Sequence, residues 1–283
     1  MTERVIIFEV GPRDGLQSLG LQVPTAMKVA LIEALSRTGL TKIEATSFVS
    51  PLWVPQMADA AEVMAQIART PVVRYAALTP NLKGMEGAIA ARCDEVAIFA
   101  SASEGFSRAN LNCSIEESFE RFAPIMERAR EVGMPVRGYL SAVIACPYDG
   151  AIAPQTVARW TAKLLEIGCY EVSLGDTIGA GTVETFDAML DVLLDECPTD
   201  KLAGHFHDTH GNARELVATA LERGLRTFDS SVAGLGGCPY APGSRGNIDT
   251  RLVMEILEAQ GFTHGVDGDA LAQAEQIARD IIG

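Results

Sequence analysis

The string His205-Phe206-His207-Asp208-Thr209-His210 holds three of the four histidines in the chain. On a β-strand, residues i and i+2 share a face, so the imidazoles of His205 and His207 converge on one point while Phe206 turns away into packing. Two hydrogen-bonded histidines lining a core would satisfy the same pattern. A nearby carboxylate favours a metal instead, and Asp14 is expected on the same rim. Two imidazoles and one carboxylate leave coordination positions open for a substrate. Nitrogen and oxygen donors without a thiolate suit a divalent ion such as Mg²⁺, Mn²⁺ or Zn²⁺.

Three further features sit within reach of that set. Arg13 follows Gly11-Pro12, and its permanent charge and fork of donors suit an oxyanion or carboxylate. Glu44 is an obvious partner that would hold the guanidinium in place. Asp176, in SLGDTIG, reads as a base, a hydrogen-bond organiser or the cap of the turn that follows it. The segment GLGGCPYAPGSRGN carries Cys238 among glycines and prolines, which mark a loop of special backbone angles. An ordinary turn is one reading of it. A thiol whose pKa is about 8.5 when free is also a competent proton donor at neutral pH. No Walker or dinucleotide fingerprint is present.

These residues need a scaffold that brings distant segments together. Short apolar runs predict strands at Val5–Val10, Lys42–Thr46, Val72–Leu78, Glu95–Ala100, Val136–Val143, Tyr170–Leu174, Leu202–His207 and Thr227–Val232. Amphipathic stretches between them predict helices at Thr25–Arg37, Met57–Arg69, Leu82–Ala91, Ile115–Val132, Pro154–Ile167, Thr182–Asp195 and Ala213–Arg223. Ser114 with Glu117 reads as a capping box, and Gly39, Gly133, Gly168 and Gly224 as helix stops. Eight strands alternating with helices over short connections predict an α/β fold, a closed (β/α)₈ TIM barrel, with a doubly wound sheet as runner-up. Two further helices after Ile248 are expected to pack on the barrel. With no linker or composition break, residues 1–283 read as a single domain. In such a barrel, chemistry belongs at the C-terminal ends of the strands, which is where the residues above fall.

Composition sets outer limits. In 283 residues, 37 acidic side chains against 23 basic give a net charge of −14, which would repel nucleic acid and anionic membranes. A 48% apolar content fits a cored protein. No apolar run reaches the roughly 18–20 residues of a membrane helix. The start shows neither a secretory nor a transit pattern, so a cytoplasmic location is expected. The six scattered cysteines, with no C-x-x-C pair, read as reduced thiols.

Long strings of the chain resemble the 3-hydroxy-3-methylglutaryl-CoA (HMG-CoA) lyase family of TIM-barrel metallolyases. They are EVGPRDGLQ (Glu9–Gln17), EATSFVSPLWVPQMAD (Glu44–Asp59), TPNLKG (Thr79–Gly84), NCSIEESF (Asn112–Phe119), GCYEVSLGDTIG (Gly168–Gly179), HFHDTHGNA (His205–Ala213) and SSVAGLGGCPYAPG (Ser230–Gly243). The resemblance implies that Asp14, His205, His207 and Asn247 bind a divalent metal, Mg²⁺ or Mn²⁺, with no other organic cofactor. It implies that Arg13 stabilises an enolate, that Glu44 and Asp176 organise the site, and that Cys238 transfers a proton. By the same resemblance Arg13, Gln17, Asn110, Tyr139 and Thr177 surround an acyl-CoA substrate, cleaved to acetyl-CoA and acetoacetate. A homodimer is implied as well.

The chain departs from the family at three places. Ser18-Leu19-Gly20 replaces the usual Asn-Glu-Lys, Ile248-Asp249-Thr250 stands where Ala-Thr-Glu-Asp is usual, and His210 replaces a tyrosine. These changes bear on the acyl group, so a related 3-hydroxyacyl-CoA such as citramalyl-CoA or a longer-branched 3-hydroxyglutaryl-CoA is an alternative substrate. A superfamily synthase would carry a long C-terminal extension, and an aldolase would lack the Cys238 loop. A non-catalytic barrel would be expected to lose Arg13 or a metal ligand, and neither is lost.

Overall fold

The computed structural model describes residues 3–238 and 241–283, apart from the side chains of Cys238 and residues 241–245. Eight strands run parallel and close on themselves: β1 (Ile6–Glu9), β2 (Lys42–Ser47), β3 (Arg74–Leu78), β4 (Glu95–Ser101), β5 (Val136–Ser141), β6 (Val172–Asp176), β7 (Leu202–Phe206) and β8 (Thr227–Ser230). Each pairs with its sequence neighbours, and β1 closes the ring against β8 from Ile6↔Thr227 to Glu9↔Ser230. The expected TIM barrel is the fold observed.

Strand parity divides the side chains. Ile7, Ile43, Tyr75, Ile98, Leu140, Leu174 and Phe228 join the apolar layer beneath the helices. The opposite parity meets inside the barrel, and much of it is charged. Arg137 of β5 reaches Asp229 of β8 across two intervening strands, and Glu44 of β2 accepts from Tyr139 of β5. These contacts are possible only through the lumen.

The helices are α1 (Thr25–Ser36), α2 (Ala60–Gln66), α3 (Leu82–Ala90), α4 (Glu104–Leu111), α5 (Ile115–Val132), α6 (Pro154–Glu166), α7 (Val183–Leu193), α8 (Ala213–Glu222), α9 (Thr250–Ala259) and α10 (Gly268–Ile282). The Ser114 capping box forms in full, with Ser114 Oγ accepting from the Glu117 amide and Glu117 from that of Ser114. The last two helices are the expected C-terminal pair, and α10 buries Leu271, Ala274, Ala278 and Ile281. Among the described residues no helix is long and apolar enough to cross a membrane.

Four expectations need correction. The second helix is shorter than Met57–Arg69, because a 3₁₀ turn occupies Pro55–Met57 and Ile67 is extended. Strand β5 stops at Ser141, since Ala142 takes φ +59° and cannot continue a ladder. Strand β6 lies two residues later than Tyr170–Leu174, so Asp176 ends the strand instead of following it. Helix α4 is unanticipated: its polar sequence EGFSRANL shows no apolar stripe, and Ser103, accepting from the Phe106 amide, caps it.

Two helix stops differ in what surrounds them. Gly39 has φ +93°, and a Cβ there would lie 2.1 Å from the Gly265 carbonyl oxygen. Gly133 has φ +68° and meets nothing within 4 Å. Gly133→Ala should therefore cost only the left-handed penalty of about 1–2 kcal/mol. Gly39→Ala adds steric overlap and should cost about 2–4 kcal/mol. Urea denaturation of both variants checks the ranking, and equal losses would contradict the packing argument.

Candidate active site

At the end of β1 the chain winds into one π-helical turn, Gly11–Gly15. The Val10 carbonyl accepts from the amides of Arg13, Asp14 and Gly15 at 3.1, 2.7 and 3.3 Å. Pro12, at the start of this turn, has no N–H to leave unsatisfied. The turn presents Arg13 and Asp14 at the C-terminal mouth of the barrel. There they meet His205 from β7 and His207 just beyond it.

Asp14, His205 and His207 each offer one ligand atom, and these atoms lie within 4.8 Å of one another. Asn247 joins them through a backbone bridge to His207, and its side-chain nitrogen donates to Asp14 Oδ2 at 2.7 Å. The site thus gathers all four residues of the expected metal set. His207 Nδ1 is buried and has no hydrogen-bond partner among the described residues. A buried nitrogen left this way is costly unless something else occupies its lone pair or proton. With a carboxylate and a second imidazole beside it, the donor set fits a divalent cation. The third histidine of the string, His210, is exposed and outside the cluster.

The electrostatics suit ligation. Burial, and then the neighbouring His205, push His207 down to about 4, so it is neutral at pH 7 with a lone pair to give. Burial works against an ionised Asp14, but the Arg13 guanidinium and then the two histidines outweigh it and hold its pKa at about 2. Arg13 is held from two sides. Its Nε donates to Glu44 Oε2 and its Nη1 to Asp14 Oδ1, both at 2.5 Å. Tyr139 donates to the same Glu44 oxygen at 3.1 Å, and its ring centre lies 5.2 Å from the Arg13 guanidinium carbon. Glu44 therefore holds the Arg13 guanidinium in place, the contact expected of it from the sequence.

A cavity of about 190 Å³ opens over this cluster. Arg13, Asp14, Gln17, Asn110, Tyr139, Thr177, His205 and His207 all line it, and Leu78, Phe99 and Phe106 give it an apolar wall. Thr177 Oγ accepts from the Ala142 amide at 2.9 Å, and Asn110 donates to the Phe106 carbonyl at 3.1 Å. Ser18 is on the same rim, and Leu19 beside it accepts from Gln56 at 3.1 Å, tying this divergent segment to the loop after β2. A larger recess of about 680 Å³ lies between α5, α6 and Glu196, beyond the end of α7. Its lining has no histidine or cysteine, and its Arg159–Glu116 and Lys163–Glu166 pairs are already matched.

Asp176 is placed differently from the others. Its carboxylate accepts from the amides of Ala180 and Gly181 at 3.1 and 2.8 Å, and it does not line the cavity. Burial raises its pKa against the pull of those amides. The cap is the role its contacts support. Cys238 belongs to a short strand, Gly237–Cys238, antiparallel to Ala241–Arg245, and its side chain lies outside the described set.

Sequence reasoning missed Glu9, Arg137, Ser173 and Asp229. All are buried, and Ser173 alone of them borders the cavity. Glu9 accepts from the amides of Gly11 and Val232 at 2.8 and 2.9 Å and from the Thr250 hydroxyl at 2.6 Å. One carboxylate thereby joins the turn bearing Arg13, the segment leading to Cys238 and the helix after Asn247. The available signal was a charge of buried parity inside an apolar strand.

Comparison with known proteins agrees with this geometry. A model of the HMGL-like family matches residues 4–278. The chain is 53% identical over 271 residues to a hydroxymethylglutaryl-CoA lyase of Pseudomonas mevalonii, covering 96% of this chain and 90% of that protein. It is 50% identical over 283 residues to a 3-hydroxy-3-isohexenylglutaryl-CoA/hydroxy-methylglutaryl-CoA lyase of Pseudomonas aeruginosa, covering 100% and 94%. The crystal structure of the HMG-CoA lyase from Brucella melitensis superposes with a TM-score of 0.97 at 55% identity, covering 99% of each chain.

Glu9 makes the site sensitive to pH. Burial raises it from 4.5 to about 7, against the pull of Thr250 and the two amides. A raised folded-state pKa means that protonation favours the native state. The associated stability is complete below about 4.5 and is lost as the pH rises through 7. Glu9→Gln keeps an oxygen for the two amides and can donate to Thr250, while removing the charge. It should become more stable relative to the parent by up to roughly 3 kcal/mol between pH 4.5 and 8. Urea midpoints across that range test this, and a pH-independent difference would remove Glu9 as the titrating group.

Proposed function

The chain belongs to the HMGL-like family, the hydroxymethylglutaryl-CoA lyases, and from that premise we propose that it is a divalent-metal-dependent carbon–carbon lyase that cleaves 3-hydroxy-3-methylglutaryl-CoA to acetyl-CoA and acetoacetate. The observation that carries this reading is the meeting of Asp14, His205 and His207, with a His207 nitrogen unpartnered among the described residues, beside the Glu44-held guanidinium of Arg13.

The reaction needs three things: passage of the C3 hydroxyl proton through a base to solvent, cleavage of C2–C3 with its electron pair moving onto the thioester, and protonation of C2. Asp14, His205, His207 and Asn247 would hold a divalent cation, which would supply Lewis acidity towards substrate oxygens. Arg13 faces the developing thioester enolate and offsets its charge in a site that excludes most water. Because Glu44 and Asp14 already orient the guanidinium, it need not reorganise during the reaction. Cys238 then gives its proton to C2, becoming a thiolate that takes up a proton from solvent before the next turnover. Gln17, Asn110, Tyr139 and Thr177 line the space for the acyl portion.

A second reading keeps this mechanism and enlarges the group at C3. It rests on the apolar wall of Leu78, Phe99 and Phe106, which suits a hydrocarbon branch longer than methyl.

The test is acetyl-CoA release from HMG-CoA with Mg²⁺ or Mn²⁺ and with a chelator. Release should stop on chelation and fall about 10²–10⁴-fold in His205→Ala and Cys238→Ala. A chain that binds Mn²⁺ yet releases nothing from HMG-CoA, but does from a longer-branched 3-hydroxyglutaryl-CoA, would transfer the assignment to the second reading.

A further inference from the structure

Behind His205 lies a buried charge that the reaction above does not use. Asp229 on β8 is fully enclosed, and its Oδ2 is 3.1 Å from His205 Nδ1. The same oxygen accepts from Ser173 at 2.7 Å and from Arg137 Nη1 at 3.1 Å, while Arg137 Nη2 pairs with Oδ1 at 2.8 Å. Arg137 is itself locked. Its Nε donates to Glu171 at 2.8 Å, and its guanidinium carbon stands 4.4 Å from the Phe8 ring centre and 5.1 Å from that of Tyr139. Burial disfavours the charged form of Asp229, but Arg137 and then His205 outweigh it and keep the carboxylate ionised.

We propose that Asp229, clamped by Arg137 and Ser173, is a positioning residue that fixes the tautomer and tilt of His205. The inference rests on the metal-dependent reading of the site. An anionic, acceptor-only carboxylate at Nδ1 requires the ring proton to be there, which leaves Nε2 with the lone pair turned towards Asp14 and His207. Arg137 serves a second branch through the Tyr139 ring, whose other face meets Arg13 and whose hydroxyl meets Glu44. One buried guanidinium thus backs both the imidazole expected to ligate the metal and the arginine expected to face the enolate.

The experiment is a titration of the purified, substrate-free enzyme with Mn²⁺, with free ion read by electron paramagnetic resonance. In Asp229→Asn the amide oxygen keeps the Oδ2 position, where Ser173 and Arg137 Nη1 donate, so His205 Nδ1–H faces a neutral acceptor in place of a carboxylate and both its tautomer and its basicity as a ligand are held less firmly. The Kd for Mn²⁺ should rise about 10–100-fold. Losing one partner of a buried pair also destabilises the fold, so a double variant, Arg137→Met with Asp229→Asn, removes both charges and should recover thermal stability. A positioning role predicts that Mn²⁺ affinity stays low in that stable double variant, whereas a merely structural role predicts that it returns. Glu171→Gln, on the far side of Arg137, should lower Tm while leaving the Kd within about threefold of the parent. Parent-like Mn²⁺ affinity in Asp229→Asn, or a parent enzyme that binds no Mn²⁺, overturns the inference. A parent that binds Mn²⁺ normally but cleaves no HMG-CoA sinks the substrate assignment and leaves this one standing.

Discussion

Arg137 is enclosed in the barrel with 1% of its side chain exposed, and a guanidinium cannot shed its charge by deprotonating. Anions must therefore surround it, and Glu171 and Asp229 do so from the edge of β6 and from β8. The consequences spread in both directions along the lumen. Below, Lys42 lies over the Phe8 and Tyr170 rings and reaches Glu95 at 3.5 Å. Above, Arg13 takes Glu44 and Asp14. Aromatic rings separate the cations, with Phe8 between Lys42 and Arg137, and Tyr139 between Arg137 and Arg13. Many barrels fill this space with branched hydrocarbon. Desolvated ion pairs add little stability over such a core. What they provide here is a rigid electrostatic frame ending at the mouth.

That frame explains how irregular segments carry a precise site. The π-helical turn after β1, the bridge between His207 and Asn247, and the start of α9 are not parts of the barrel ladder. Carboxylates hold them: Glu9 pins the first and last, and Asp14 receives the Asn247 amide. Each of these acids also biases a protonation state. Asp14 is kept anionic by Arg13, His207 is kept neutral by burial, and Glu9 is left near neutrality because no cation pairs with it among the described residues.

Much of this was legible in the residues themselves. Alternation of apolar runs and amphipathic stretches identified the barrel, because parallel strands buried on both faces and helices with one apolar face have different periods. The H-x-H spacing put two imidazoles on one side of a strand, since parity survives whatever the fold becomes. Caps such as Ser114 were readable because they act within one turn of chain. Helix α4 was not, for it lacks an apolar stripe and leans on Ser103 and on Asp149, 46 residues away.

The sequence by itself thus determined everything that depends on near neighbours along the chain: strand parity, helix periodicity, caps, and the residue types able to ligate a metal or stabilise an anion. Only the tertiary structure decided which of these met. It sent Asp176 to the amides of Ala180 and Gly181 instead of the cavity, and brought Asn247 to Asp14 from 233 residues away. It also set Arg137, Asp229 and Ser173 behind His205. The reason is that Coulomb and hydrogen-bond energies fall off over a few ångströms of space and not of sequence. Which carboxylate neutralises which arginine is therefore settled only when the barrel closes.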